Sequence, residues 1–129
     1  MWSHMSRSTK RVLVVDDEPG ICEGVENILT RAGYEVEKAF SGEEALAMSE
    51  REEFDLILMD HIMPAMDRVD ACDRIKQKRP GARMVAITGS PVGSRVERFR
   101  KSAGVGIFLF KPFGKEELLA CVEKAIGAK

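Results

Sequence analysis

Five polar residues stand where apolar runs end. Asp16 and Asp17 follow Val12-Leu13-Val14-Val15, Asp60 follows Leu56-Ile57-Leu58-Met59, Thr88 follows Val85-Ala86-Ile87, and Lys111 follows Phe108-Leu109-Phe110. Carboxylates gathered at one edge repel each other and hold raised pKa values unless a cation neutralises them. A hard divalent ion meets that need, and magnesium in particular takes oxygen ligands, keeps several waters and shares its shell with phosphate oxygens. An ionised carboxylate can attack phosphorus without a general base, and Asp60 is the candidate nucleophile. Phosphoryl transfer otherwise needs positioning and neutralised charge on the equatorial oxygens. Lys111 offers a compact cation and Thr88 a hydroxyl donor. Each residue also has a plain structural reading, as a helix N-cap, a turn residue or a solvated side chain. The appropriate type at the end of four different strands favours the joint chemical reading.

For these residues to meet, the runs that carry them must lie side by side. Short β-branched runs alternate with amphipathic stretches five times from Arg11 onward, the pattern of a parallel sheet covered by helices. The strand candidates are 11–15, 35–39, 55–59, 83–87 and 106–110. The second, with its alternating Glu35-Val36-Glu37, reads as a sheet edge. Ile21, Val25, Ile28 and Leu29 make one helical face that ends at Gly33, and Leu118, Val122, Ala125 and Ile126 make another. Ser41 with Glu44 predicts a capping box. Third and fourth helices are expected over 67–78 and 92–103. In such a doubly wound sheet the functional crevice lies beyond the carboxyl ends of the strands, where the five polar residues fall.

Composition sets the outer limits. A chain of 129 residues with 44% hydrophobic content closes one core. Twenty basic residues against 21 acidic ones give a net charge of -1, which offers nothing to nucleic acid or an anionic membrane. Its apolar runs fall far short of the roughly 20 residues needed to cross a bilayer. Cys22, Cys72 and Cys121 lack metal or redox spacing and read as reduced thiols of a cytoplasmic protein. Residues 1–9, opening Met1-Trp2-Ser3-His4-Met5, read as a vector-derived leader and disordered N-terminus before a domain over 10–129.

With these residues in view, the sequence resembles the receiver domains of bacterial two-component response regulators over nearly all of residues 10–128. Val12-Leu13-Val14-Val15-Asp16-Asp17-Glu18 is similar to the family's acidic opening, Asp60-His61-Ile62-Met63-Pro64-Ala65-Met66-Asp67 to its phosphoacceptor loop, and Lys111-Pro112-Phe113 to its closing motif. The resemblance implies a (βα)5 flavodoxin-like fold of strand order 2-1-3-4-5. It implies phosphorylation of Asp60 by a histidine kinase or phosphotransfer protein, with magnesium held by Asp16, Asp17, Asp60 and the backbone carbonyl of Ile62. It also implies a cis Lys111–Pro112 bond, and a switch in which Thr88 and Phe108 remodel the surface of the fourth helix, fifth strand and fifth helix. A homodimer on phosphorylation is a further possibility that it raises. Such a domain is a signalling phosphoacceptor that assists its own phosphotransfer and dephosphorylation, not an enzyme acting on external substrates.

Departures from the family pattern are Arg68, where glycine is common, and Gly89 after Thr88, where alanine is frequent. His61 reads as a variable loop residue, and Arg95, Arg98, Arg100 and Lys101 as a solvated basic face. Three other functions fit less well. A flavodoxin-like cofactor module lacks a glycine-rich phosphate loop and would meet repulsion from Asp16-Asp17-Glu18. An aspartate-nucleophile phosphatase needs an acid where Ile62 stands. A pseudo-receiver would not need all five polar residues.

Overall fold

The protein is described by a computed structural model covering residues 9–60, 68–88 and 107–127, with the backbone alone for 68–72. Five parallel strands form one sheet: β1 (Arg11–Val15), β2 (Glu35–Ala39), β3 (Leu56–Asp60), β4 (Met84–Thr88) and β5 (Ile107–Phe110). Their order is β2-β1-β3-β4-β5, the order that the family resemblance implies, in the parallel sheet expected from the alternation. The helices are α1 (Pro19–Arg31), α2 (Gly42–Arg51), α3 (Arg68–Lys78) and a C-terminal helix (Lys115–Gly127). The expected helix over 92–103 lies outside the described residues, as does the basic face it would carry.

Burial explains the strand sequences. All five residues of β3 and of β4 are buried, as strands with helices on both faces must be. In β2, Glu35 and Glu37 are exposed, in keeping with its place at the sheet edge. On one face Leu13, Val15, Ile57, Met59 and Ala86 pack with Ala45 of α2 and Ile75 of α3. On the other, Val12, Val14, Leu58 and Ile87 pack with Val25 and Leu29 of α1 and with Leu118 and Val122 of the C-terminal helix.

The connections are set locally. Pro19 opens α1, and Gly33 with φ +101° closes it in the left-handed region that glycine adopts without cost. The Tyr34 N–H donates to the Leu29 carbonyl at 3.0 Å, completing a Schellman-type stop. Ser41 Oγ accepts from the Glu44 N–H at 3.1 Å. Glu44 reaches back to the Phe40 N–H at 2.8 Å, one residue before the partner a regular capping box would use.

Two strands run one residue further than their apolar runs predict. Asp60 and Thr88 are the last residues of β3 and β4 and do not lie beyond them, because their backbones still pair, Asp60 with Ile87 and Thr88 with Phe110. At the opposite end of β1, the Arg11 guanidinium bonds Glu52 Oε1 at 2.7 Å and lies 5.2 Å from the centre of the Phe54 ring.

Candidate acidic active site

Asp16 leaves β1 with no exposed surface, and three of its polar groups are tied. Its N–H donates to the Ala39 carbonyl at 3.1 Å. Its carboxylate Oδ1 accepts from the Glu18 N–H at 2.9 Å, and its carbonyl accepts from the Cys22 thiol at 3.4 Å. Oδ2 is buried and makes no hydrogen bond among the described residues. Burial is the main cause that raises the Asp16 pKa to about 6; the Glu18 N–H opposes it, Asp60 adds to it and Lys111 opposes it.

Asp60 is also buried, while Asp17 is exposed. One carboxylate oxygen from each of Asp16, Asp17 and Asp60 lies within 4.8 Å of the others. Lys111 enters from the end of β5. Its Nζ is 3.6 Å from Asp16 Oδ2 and 3.7 Å from Asp60 Oδ1, so one ammonium faces both buried carboxylates. The Lys111 N–H donates to the Thr88 carbonyl at 2.8 Å, which fixes the root of the lysine against the end of β4. The Lys111–Pro112 peptide bond is cis.

The structure thus brings together Asp16, Asp17, Asp60 and Lys111 from the ends of three strands. Thr88 is fully buried at the end of β4, next to β3, one step beyond the Asp60–Ile87 pair. Phe108 is partly buried and stacks on Phe110 with centroids 6.3 Å apart and planes 10° from parallel. Ile62, His61, Gly89 and Ser90 lie outside the described residues, and Arg68 is described only in its backbone, as the first residue of α3.

A hard cation fits this donor set. Among the described residues, three carboxylates lie within reach of each other, one with a buried oxygen lacking a hydrogen bond, and carry more negative charge than the Lys111 ammonium offsets. Oxygen-only ligands of that kind suit magnesium better than softer metals.

Cys22 is a site residue that the sequence leaves unassigned. It reads there as an inert thiol, yet it sits in the first turns of α1, six residues after Asp16, and its thiol is the donor to the Asp16 carbonyl. Burial first, and Asp16 next, push that thiol up to about 11. The available signal is the cysteine's place on the inward face of α1, with Val25 and Leu29.

Comparison with known proteins agrees with this geometry. Residues 12–123 match the family model described as response regulator receiver domain. The alkaline phosphatase synthesis transcriptional regulatory protein PhoP of Bacillus subtilis is 34% identical over 118 residues, covering 88% of this chain and 47% of that protein. The chain therefore spans about half the length of that relative. Among solved structures, a CheY-like response regulator receiver domain protein from Methanospirillum hungatei superposes with a TM-score of 0.86 at 32% identity, covering 93% of this chain and 95% of that one. The receiver domain of sensor histidine kinase PA1611 from Pseudomonas aeruginosa superposes with a TM-score of 0.84 at 28% identity, covering 94% and 100%, and holds a magnesium ion in its active site cleft.

Proposed function

The chain belongs to the response regulator receiver domain family, and from that premise we propose that Asp60 is its phosphoacceptor. The donor is a phosphohistidine on a histidine kinase or phosphotransfer protein. The Asp60 carboxylate attacks phosphorus, the P–N bond breaks, the imidazole departs, and the phosphoryl group stays on Asp60 as an acyl phosphate. Lys111 neutralises one phosphoryl oxygen and the Thr88 hydroxyl bonds another. Asp16, Asp17, Asp60 and the Ile62 carbonyl would hold magnesium, which would supply positive charge against the carboxylates and the incoming phosphoryl group.

The observation that carries this reading is the position of Lys111 Nζ, within 4 Å of a carboxylate oxygen on each of two buried aspartates from different strands. A lysine serving only solubility has no reason to face a buried acidic pair. The unit is residues 10–129, and it works in the cytoplasm as a signalling phosphoacceptor. The acyl phosphate draws Thr88 toward it and Phe108 follows, which alters the surface offered by β5, the C-terminal helix and the segment over 92–103. That surface supports pairing with a second copy or a target, with no direct contact to nucleic acid or membrane by this domain. No helix among the described residues is long and apolar enough to cross a membrane.

The test is intact mass after incubation with acetyl phosphate and magnesium. One added phosphoryl group, absent in Asp60→Ala and in a chelated sample, is the expected result. A wild-type protein that binds magnesium yet acquires no phosphoryl group would instead be a phosphorylation-independent interaction module, and the assignment of Asp60 would be wrong.

A further inference from the structure

Asp16 and Asp17 are adjacent, and adjacent residues leaving a strand tend to point to opposite faces. Here both place a carboxylate oxygen in the same cluster with Asp60. Sharing one cluster requires that the peptide unit joining them be held in a particular plane. That unit contains the Asp16 carbonyl, which lies past the end of β1 and its ladder to β2 and β3. A buried carbonyl beyond the ladder needs another donor. It has one in the Cys22 thiol, 3.4 Å away and itself fully buried.

We propose that Cys22 is a positioning residue for the metal site: its thiol fixes the peptide plane between Asp16 and Asp17, so that both carboxylates reach one cation. This rests on the reading of those residues as magnesium ligands. The Ala39 carbonyl and the Glu18 N–H hold the strand-side N–H and the side-chain Oδ1 of Asp16. Cys22 holds the carbonyl, the atom that couples Asp16 to Asp17. With those three bonds made, Oδ2 is left to face the site, toward Lys111. Without the thiol, the carbonyl must turn to find a donor, and Asp17 turns with it.

The experiment compares Cys22→Ala with Cys22→Ser in the full chain. The two replacements have nearly the same volume and leave similar packing defects, but only serine keeps a donor. Magnesium affinity is read by calorimetry, and folding by circular dichroism on the same samples. Loss of a partner that orients a metal ligand weakens binding by tenfold or more, and because a thiol is a weak donor the low end applies. The expected result is about tenfold weaker magnesium binding in Cys22→Ala, with serine restoring most of it. As a second signature, the carbonyl 13C resonance of Asp16 shifts in the alanine variant and less in the serine variant. If both variants bind magnesium like the wild type, or both weaken equally, Cys22 is packing only and the inference fails while the site reading stands. If the wild type itself binds no magnesium, the site reading fails and takes this inference with it.

Discussion

Lys111 Nζ stands 3.7 Å from Asp60 Oδ1, close enough to neutralise the carboxylate yet longer than a tight ion pair. A phosphoryl oxygen on Asp60 would therefore find a cation already in place. In the proposed role of Lys111, Lys111→Ala removes a charge that acts on the transition state, and donors of that kind are worth about 100-fold or more in rate. The phosphorylation rate with acetyl phosphate should fall by about that factor, while magnesium affinity changes little or rises. Magnesium binding lost in parallel with the rate would show Lys111 to be structural.

Asp16 leads to a pH-dependent prediction. Its carboxyl is raised from 3.8 to about 6 in the folded protein, chiefly by burial, so the folded state takes up a proton that the unfolded state releases. The associated stability is fully present below pH 3.8 and is lost as pH rises through about 6. Asp16→Asn removes the ionisation and keeps an oxygen for the Glu18 N–H. In metal-free buffer the variant should be more stable than the wild type by about 3 kcal/mol above pH 7, since each tenfold change in a protonation equilibrium is worth about 1.4 kcal/mol. The gap should close toward pH 4. Added magnesium should raise the melting temperature of the wild type only. Equal stability of the two proteins at pH 7.5 would mean that burying Asp16 carries no charge penalty.

The thiols can be told apart chemically. Cys22 is fully buried with a pKa pushed up to about 11, so at pH 8 only about one molecule in a thousand is a thiolate. Cys121 on the C-terminal helix is partly buried, and burial raises its pKa as well. Peptide mapping after brief alkylation of the native protein at pH 8 should find Cys121 labelled well ahead of Cys22, with both labelled equally in denaturant. Native Cys22 reacting at the rate of Cys121 would show that α1 opens readily at its first turns.

What the sequence makes legible here follows from which forces act locally. The alternation of runs makes a parallel sheet legible, because a strand covered by helices on both faces is buried along its length, as β3 and β4 are, whereas the strand order comes from the family resemblance. The apolar runs stop one residue short of the strand ends at Asp60 and Thr88, because ladder pairing is made by backbone groups and continues into a polar residue. Ser41 is legible as a cap, but the reach of Glu44 to Phe40 depends on how the chain enters the helix. The convergence of Asp16, Asp17, Asp60 and Lys111 follows from the topology rule for strand ends. The grip of Cys22 on Asp16 does not, since it depends on how far α1 is set back from β1, a distance fixed by core packing.

Arg11 offers a control at the far end of the same strand. It is mostly buried, bonded to Glu52 at 2.7 Å, within 4 Å of Glu35 and Glu37, and placed over Phe54. The three carboxylates are themselves largely exposed, and such pairs are worth little singly, while the ring contact adds about 0.5–1 kcal/mol. Arg11→Met keeps the aliphatic stem and should cost about 1 kcal/mol in total, read from denaturant midpoints. Because Arg11 and Asp16 lie at opposite ends of β1, the variant should bind magnesium and accept a phosphoryl group like the wild type. A parallel loss of magnesium affinity would mean that β1 transmits disorder along its length, and that variants at Cys22 must be judged against that background.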